Sequence, residues 1–430
     1  MTKNEDVMPK AVYFIIVVEL MERFSYYGIR PLLLNYFKYT GSDDTEAKEY
    51  THMFAMVCYF FPLVGAAISD SFLGKYKTIL YLSIVYAIGL FGLAISAIPT
   101  FQSLTTIGVG LLFVAVGTGG IKPCVSSFGG DLFLNSSEDL MRKFFAYFYV
   151  AINIGAVLSG FITPMLKDDV VCYGGPCYFL GYLVPAILFV LAIGVFVMGR
   201  KQYVYIPPLG EFLPWKALKL VGNAIKNTFS STKTTRVIAT KSDFLDNASP
   251  EFDYEFIEEV RAFGRVVVVI LPLLFTWMVY EQNATAWQEQ FSRMDSTFFG
   301  IHITDEQFVA VFNPLLVIMM VYFLASVVYP MMEKRGIAFG PLLRICIGAI
   351  LVTLGFFVSA FLENMVEENF HGTLDPKTKR YECLPGQCMH AGWQIPQWIL
   401  LNLGESFFSP TGTFKLIKEM NLLINMLGKV

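Results

Sequence analysis

Long apolar runs, separated by short polar and basic segments, recur along almost the whole chain. A membrane-spanning helix needs about 20 mostly apolar residues. Ten windows meet that need: 11–38, 50–69, 77–98, 104–128, 144–166, 178–199, 262–282, 306–330, 338–362 and 392–414. No stretch alternates apolar and polar residues in the way a transmembrane barrel requires. The pattern therefore predicts an all-α polytopic membrane protein. Two hydrophilic stretches interrupt the series. Residues 200–261 follow the sixth window and hold Pro207, Pro208 and an acidic end from Pro250 to Glu259. Inside them, 212–229 (FLPWKALKLVGNAIKNTF) places apolar residues at helical spacing with lysines between, which predicts a helix lying on the inner membrane face. The second stretch, 363–391, reads as a compact outer loop. The chain thus divides into a six-helix bundle at 1–199, a linker at 200–261, four helices at 262–414 and a tail at 415–430.

Composition agrees with lipid as the surroundings: 55% of the 430 residues are hydrophobic and only 16% charged, against about 25% charged in soluble domains. A net charge of −3 supplies no basic footprint for nucleic acid. Lys and Arg concentrate in the loops at Lys75/Lys77, Arg142/Lys143, Arg200/Lys201 and Lys334/Arg335, whereas 99–103, 167–177 and 283–305 carry few. The positive-inside rule puts the first set in the cytoplasm and, with ten spans, both termini as well. The first ten residues do not read as a removable signal peptide. Cys58, Cys124 and Cys346 fall in spans as ordinary apolar thiols. Cys172/Cys177 and Cys383/Cys388 fall in outer loops, where disulfides are permitted and connectivity stays open. Asn135, Asn247 and Asn283 head glycosylation sequons, and none is expected to be modified.

The informative residues are charges where lipid should be. Each costs at least about 2.5–3.5 kcal/mol at mid-bilayer unless it meets a partner or a wet cavity. The first window alone holds Glu19, Glu22, Arg23 and Arg30, and helical spacing puts Glu19, Glu22, Arg23, Tyr26 and Tyr27 on one side. Four charges on one span cannot all reach an interface, so this set predicts a polar cavity. His52 opens the second window, Lys122 lies in the fourth, Arg265 and Glu281 bound the seventh, and Glu405 lies in the tenth. Asp43/Asp44 and Glu367/Glu368 read as solvated loop charges. A zwitterion needs cations at one end and an anion at the other: the first half supplies Arg23, Arg30 and Lys122, the second supplies Glu405. Glu22 beside Arg23 and Lys122 can release those cations when it takes a proton, and an unperturbed His52 titrates near neutral pH.

Four blocks carry a family resemblance. ELMERFSYYG at 19–28 resembles the ExxERFxYYG motif of the proton-dependent oligopeptide transporter family. GAAISDSFLGK at 65–75 is similar to the first family signature, FYVAINIG at 148–155 to the second, and GTGGIKPC at 117–124 to the helix-four segment of animal members. The resemblance is closest to the animal intestinal and renal peptide carriers. It implies a major facilitator superfamily fold, in which two bundles rock about a central site. It also implies proton-coupled symport of di- and tripeptides across a lipid bilayer, with peptides, protons and lipid as partners, no cofactor and no metal. On that resemblance Arg23, Arg30 and Lys122 meet the peptide carboxylate, while Asn153, Asn313 and Glu405 hold its amino group and backbone. Tyr26, Tyr27, Tyr59, Tyr149 and Trp277 shape side-chain pockets. Glu19, Glu22 and His52 handle protons, and Arg30, Glu281, Arg265 and Asp70 belong to gates. A plasma-membrane location is implied.

The chain departs from that pattern at three places. Animal members carry an acidic residue twelve positions after the asparagine matching Asn313, and here that position is Ala325, which removes the expected partner of Arg265. The 29 residues at 363–391 are too short for the large outer domain of mammalian members. After Gly412 the resemblance is expected to end: 413–430 has no window long enough to span, so helices eleven and twelve of the usual twelve are not expected in this chain. Its apolar residues suit a short amphipathic helix. Two alternatives to peptide symport stay open, namely a family substrate such as nitrate or an amino acid, and a non-transporting member that regulates a relative. No phosphate loop, metal cluster or catalytic triad stands in a polar segment, so an enzyme is not expected.

Overall fold

Side-chain caps at Asp43, Ser103 and Thr304 start three of the long apolar helices, and prolines lie inside several of them. In the computed structural model, residues 8–133, 138–208, 210, 212–229, 244–248, 251–336, 340–375, 381–383 and 388–408 are described. Helix α1 (Lys10–Ile29) continues through a 3-10 turn at Arg30–Leu32, set by Pro31, into α2 (Leu33–Tyr39). Helix α3 (Asp44–Ile68) begins on a capping box: Asp43 accepts from the Glu46 amide at 2.7 Å, and Glu46 accepts from the Asp43 amide at 3.4 Å. Asp43 is therefore a helix cap rather than a solvated loop charge, and Asp44 pairs with Lys38 at 2.9 Å. A π turn at Ser69–Leu73 leads into α4 (Lys75–Ser96), followed by α5 (Leu104–Asp131), α6 (Glu138–Asp168) and α7 (Tyr178–Met198). Lys75 meets Asp131 at 2.6 Å and ties the start of α4 to the end of α5.

These helices share one core, which includes Ile15, Leu33, Leu90, Val114, Phe144 and Tyr182. Helix α1 packs on α6 and α7, α4 on α5 and α7, and α3 on α5. The second core includes Leu273, Trp287, Phe308, Val352 and Trp398. It is built by α9 (Tyr254–Glu281), the short α10 (Ala286–Ser292), α11 (Asp305–Phe323), α13 (Pro341–Glu368) and a helix α14 at 395–408. Helix α11 runs through a π turn at Leu324–Val328 into α12 (Tyr329–Lys334). In chain order, α8 (Leu213–Phe229), the amphipathic helix, comes between the two sets of helices. Its Leu220 and Ala224 pack against Ala248 and Ile257, so protein covers part of the face expected on the membrane; Trp215 and Leu218 stay exposed.

The ten apolar windows all carry helix, and seven helices among the described residues are long and apolar enough to cross a membrane. Several boundaries move: α3 starts six residues before its window, and α6 starts at Glu138 and takes in Arg142 and Lys143, assigned above to a loop. Helix α9 starts at Tyr254, inside the acidic end assigned to the linker, because Asp253 precedes it at the N-cap and Glu255 occupies its first turn. Helix α6 runs two residues past its window and so includes Lys167, assigned above to an outer loop. Helix α13 reaches Glu368, which shortens the loop at 363–391 from its start and takes Glu367/Glu368 out of it. Both close cysteine pairs are bridged, Cys172 to Cys177 and Cys383 to Cys388. Asn283 is buried, whereas Asn135 and the tail 413–430 lie outside the described residues.

Candidate functional site

The charge cluster of α1 forms because its helix neighbours come close enough to exclude lipid. Gly155 on α6 carries the approach: a Cβ there would lie 2.6 Å from the Leu20 carbonyl oxygen. On α5, Gly120 lies against Gly65 of α3 with no room for a side chain between them, which brings Lys122 and Thr118 beside α1 and α3. Glu19, Glu22 and Arg23 are all buried. Arg23 reaches Glu19 at 2.9 Å and Glu22 at 2.5 Å, and Thr118 donates to the other oxygen of Glu22 at 2.8 Å. One guanidinium between two carboxylates leaves the trio one negative charge in excess when all three are ionised.

Lys122 supplies the compensating charge. Its ammonium lies 4.1 Å from the Tyr26 ring centroid and 5.5 Å from that of Tyr59, held by cation–π contact, with no carboxylate partner among the described residues. Tyr27 meets Tyr26 edge-on at 5.3 Å. On the facing half, Tyr280 donates to Glu405 at 2.7 Å and accepts from Asn313 at 3.1 Å. Trp277 packs edge-on against Tyr280 at 5.1 Å and Phe408 at 5.2 Å. Asn153 spends its amide N–H on the Tyr149 carbonyl one turn back, at 2.7 Å, and leaves its own carbonyl as an acceptor.

A second group of residues stitches the two halves together at one mouth. Arg30 pairs with Glu281, and Tyr59 donates to the same carboxylate at 3.0 Å. His52 shares a hydrogen bond with Thr285 at 2.9 Å. Glu289 of α10 pairs with Lys48 and stands 3.6 Å from Lys38. Beside them, Lys167 of α6 pairs with Glu306 of α11, both side chains fully buried. Asn35 donates to Glu306 and to Asp305, each at 2.7 Å, and Gln288 donates to Asp305 at 2.9 Å. These contacts join the ends of α1, α2 and α6 to α9, α10 and the start of α11.

Two expected site residues are not brought in. Asp70 is exposed on the π turn after α3, far along the chain from the mouth. Arg265 is exposed on α9, twelve residues or about 18 Å of helix before Trp277, and Ala325 offers it nothing. Arg23 and Arg30 are drawn in, yet each is already paired with a carboxylate, so neither stands free for an anion in this conformation. Several members were absent from the sequence reading: Tyr280, Thr118, Thr285 and the Lys167–Glu306–Asn35–Asp305–Gln288 network. Tyr280 lies three residues after Trp277, and Thr118 four before Lys122. Helical spacing alone puts both on the faces already marked.

The sequence pattern of the POT family matches residues 76–422, well over half of the chain. The chain belongs to the POT family. The match extends past Gly412, where the resemblance was expected to end, so POT character continues into the segment 413–422. Over 369 residues the chain is 39% identical to "Solute carrier family 15 member 2" of Mus musculus, covering 84% of this chain and 50% of that protein. Over 365 residues it is 39% identical to "Peptide transporter family 1" of Drosophila melanogaster, covering 84% and 48%. The chain thus spans about half the length of the curated relatives it matches. A crystal structure of a POT family transporter, PepTSo, superposes with a TM-score of 0.76 at 26% identity, covering 94% of this chain and 82% of that one. An auto-inhibited POT family peptide transporter superposes with a TM-score of 0.71 at 28% identity, again covering 94% and 82%. The architecture is that of the major facilitator superfamily as POT transporters build it, in a multi-pass membrane protein.

Proposed function

We propose that this chain serves proton-coupled symport of di- and tripeptides. What supports this reading is the division of buried charge between the halves, with Arg23 and Lys122 on one and Glu405 on the other. A zwitterionic peptide bridging the halves satisfies both ends in one orientation. The aromatic side chains Tyr26, Tyr27, Tyr59, Tyr149 and Trp277 tolerate varied residues between them. POT membership and the peptide-transporter names of its relatives support the substrate class.

The coupling follows from the pairs. With Glu22 ionised, Arg23 is occupied on both sides. A proton on Glu22 removes one of those attractions and leaves the guanidinium able to receive the peptide carboxylate beside Lys122. Release of the proton restores the Glu22–Arg23 pair and expels the carboxylate. Glu19 shares the same guanidinium and His52 lies at the mouth, which makes them the further proton-handling groups. Arg30 and Glu281, with His52–Thr285 and the Lys167–Glu306 pair, form the closed gate. The basic loops lie at the opposite ends of the helices, so the positive-inside rule makes the closed mouth the outer one and the conformation inward-facing. On this reading 1–199 and 262–414 are the two rocking bodies, both termini are cytoplasmic and the membrane is the plasma membrane.

Binding to the purified chain in lipid nanodiscs tests the substrate class. A labelled dipeptide is expected to bind and to be displaced by unlabelled di- and tripeptides, while nitrate and free histidine leave it bound. Displacement by nitrate or histidine would move the reading to another POT substrate. Failure of any dipeptide to bind would favour a non-transporting role.

A further inference from the structure

We propose that Tyr280 is a positioning residue for recognition of the peptide ammonium: it turns Glu405 and Asn313 into a pair of acceptors and sets the site's preference for a free amino terminus. This rests on the reading of the site as a peptide site. The phenolic hydroxyl has one hydrogen to give and gives it to Oε2 of Glu405 at 2.7 Å. Its oxygen accepts the side-chain N–H of Asn313 at 3.1 Å. The phenolic hydrogen and one N–H of Asn313 are therefore spent inside this corner.

What is left over is acceptor character. Oδ1 of Asn313 is buried and has no hydrogen-bond partner. Oε1 of Glu405 has no hydrogen bond among the described residues. A buried carbonyl without a donor is destabilised by about 1–3 kcal/mol, which a bound –NH3+ relieves because it offers three N–H groups and no lone pair. An acylated nitrogen has a single N–H and no charge, so it gains far less at this corner. The amide of Asn313 is fixed in this sense only by the tyrosine oxygen: turned over, it would present N–H groups to an incoming cation. The ring itself is held by Trp277 and is buried, with α9, α11 and α14 meeting at its hydroxyl.

Tyr280→Phe removes the hydroxyl and keeps the ring, so the packing with Trp277 is retained. In nanodiscs, the variant is expected to raise the Kd of a zwitterionic dipeptide about tenfold, the scale of one hydrogen bond to a charged group, and to leave an N-acetylated dipeptide within about twofold. Equal weakening of both ligands, or no weakening, would overturn the positioning role. A ligand-free measurement keeps the two readings apart. Melting temperatures of Tyr280→Phe, Glu405→Gln and the double variant are expected to be non-additive, the double losing less than the sum. If wild-type chain binds no dipeptide, the peptide-site reading falls, and the melts still decide whether Tyr280 holds Glu405. Strictly additive losses would show that it does not.

Discussion

The mouth contacts and the proposed peptide site are both rich in charge, and they use it in opposite ways. At the mouth, Lys167 meets Glu306 between α6 and α11 with both side chains at 0% exposure, and Asn35 and Gln288 donate to Glu306 and Asp305. In the proposed site, Lys122 rests on tyrosine rings, Glu405 is held by a neutral phenol, and Arg23 is divided between two carboxylates. Pairs that are complete and buried hold two surfaces together, because removing one partner strands the other charge. Charges held by weak or shared partners can be exchanged for a ligand's charges. On the proposed reading this difference separates locking at the mouth from binding at the peptide site.

The largest effect is expected where the pairing is most complete. Lys167→Ala takes from Glu306 its buried cation and should destabilise the closed-mouth conformation by about 3–5 kcal/mol. Melting temperature in detergent, together with reactivity of a cysteine placed at Thr285, measures this; a loss no larger than that of a surface alanine would make the pair incidental. Replacing both partners, as Lys167→Met with Glu306→Leu, is expected to recover most of the loss, since no charge is stranded. Glu405→Ala comes next. It should weaken zwitterionic dipeptides by about 2–5 kcal/mol, the range for losing one partner of a buried charge contact, and spare N-acetylated ones, as read by competition binding. Equal weakening would make Glu405 structural.

Arg30→Gln is expected to be milder, since that pair is partly open to solvent: about 1.5–3 kcal/mol for a charged hydrogen bond. Faster labelling at the mouth with unchanged dipeptide Kd would be the signature; a lost Kd would move Arg30 into the binding site. The smallest effect belongs to Arg265→Ala. An exposed side chain without a carboxylate partner among the described residues should shift stability by no more than about 0.5 kcal/mol. A strong uptake defect in that variant would restore the gating role that Ala325 removes.

The spans and the buried charge cluster were legible in the sequence for one reason: charge inside an apolar window is costly and therefore visible. Glu19, Glu22, Arg23 and Lys122 stand out against Val, Ile and Phe, and the structure gathers them around one another. At the mouth Arg30, Glu281 and His52 were legible too, but the Lys167–Glu306 network was not, because its two central charges sit at window edges. Lys167 falls one residue past 166 and Glu306 opens the window at 306, where charge reads as interfacial. Only the packing of α6 on α11 turns both inward. Tyr280 was hidden differently: a tyrosine in an apolar run looks like core, and its hydrogen-bond partners lie 33 and 125 residues away. The capping box at Asp43 and Glu46 was in plain view as D-x-x-E, yet beside a second aspartate it reads as a polar loop.

Coupling of peptide to proton through Glu22 is the central claim, and uptake into proteoliposomes under an inward proton gradient tests it most directly. Wild-type chain is expected to concentrate a labelled dipeptide above the external level and to lose that accumulation when a protonophore collapses the gradient. Glu22→Gln, which fixes the protonated pairing of Arg23, is expected to exchange dipeptide across the membrane without concentrating it. Gradient-driven accumulation by Glu22→Gln equal to that of wild type, or accumulation by wild type that ignores the gradient, would contradict the account.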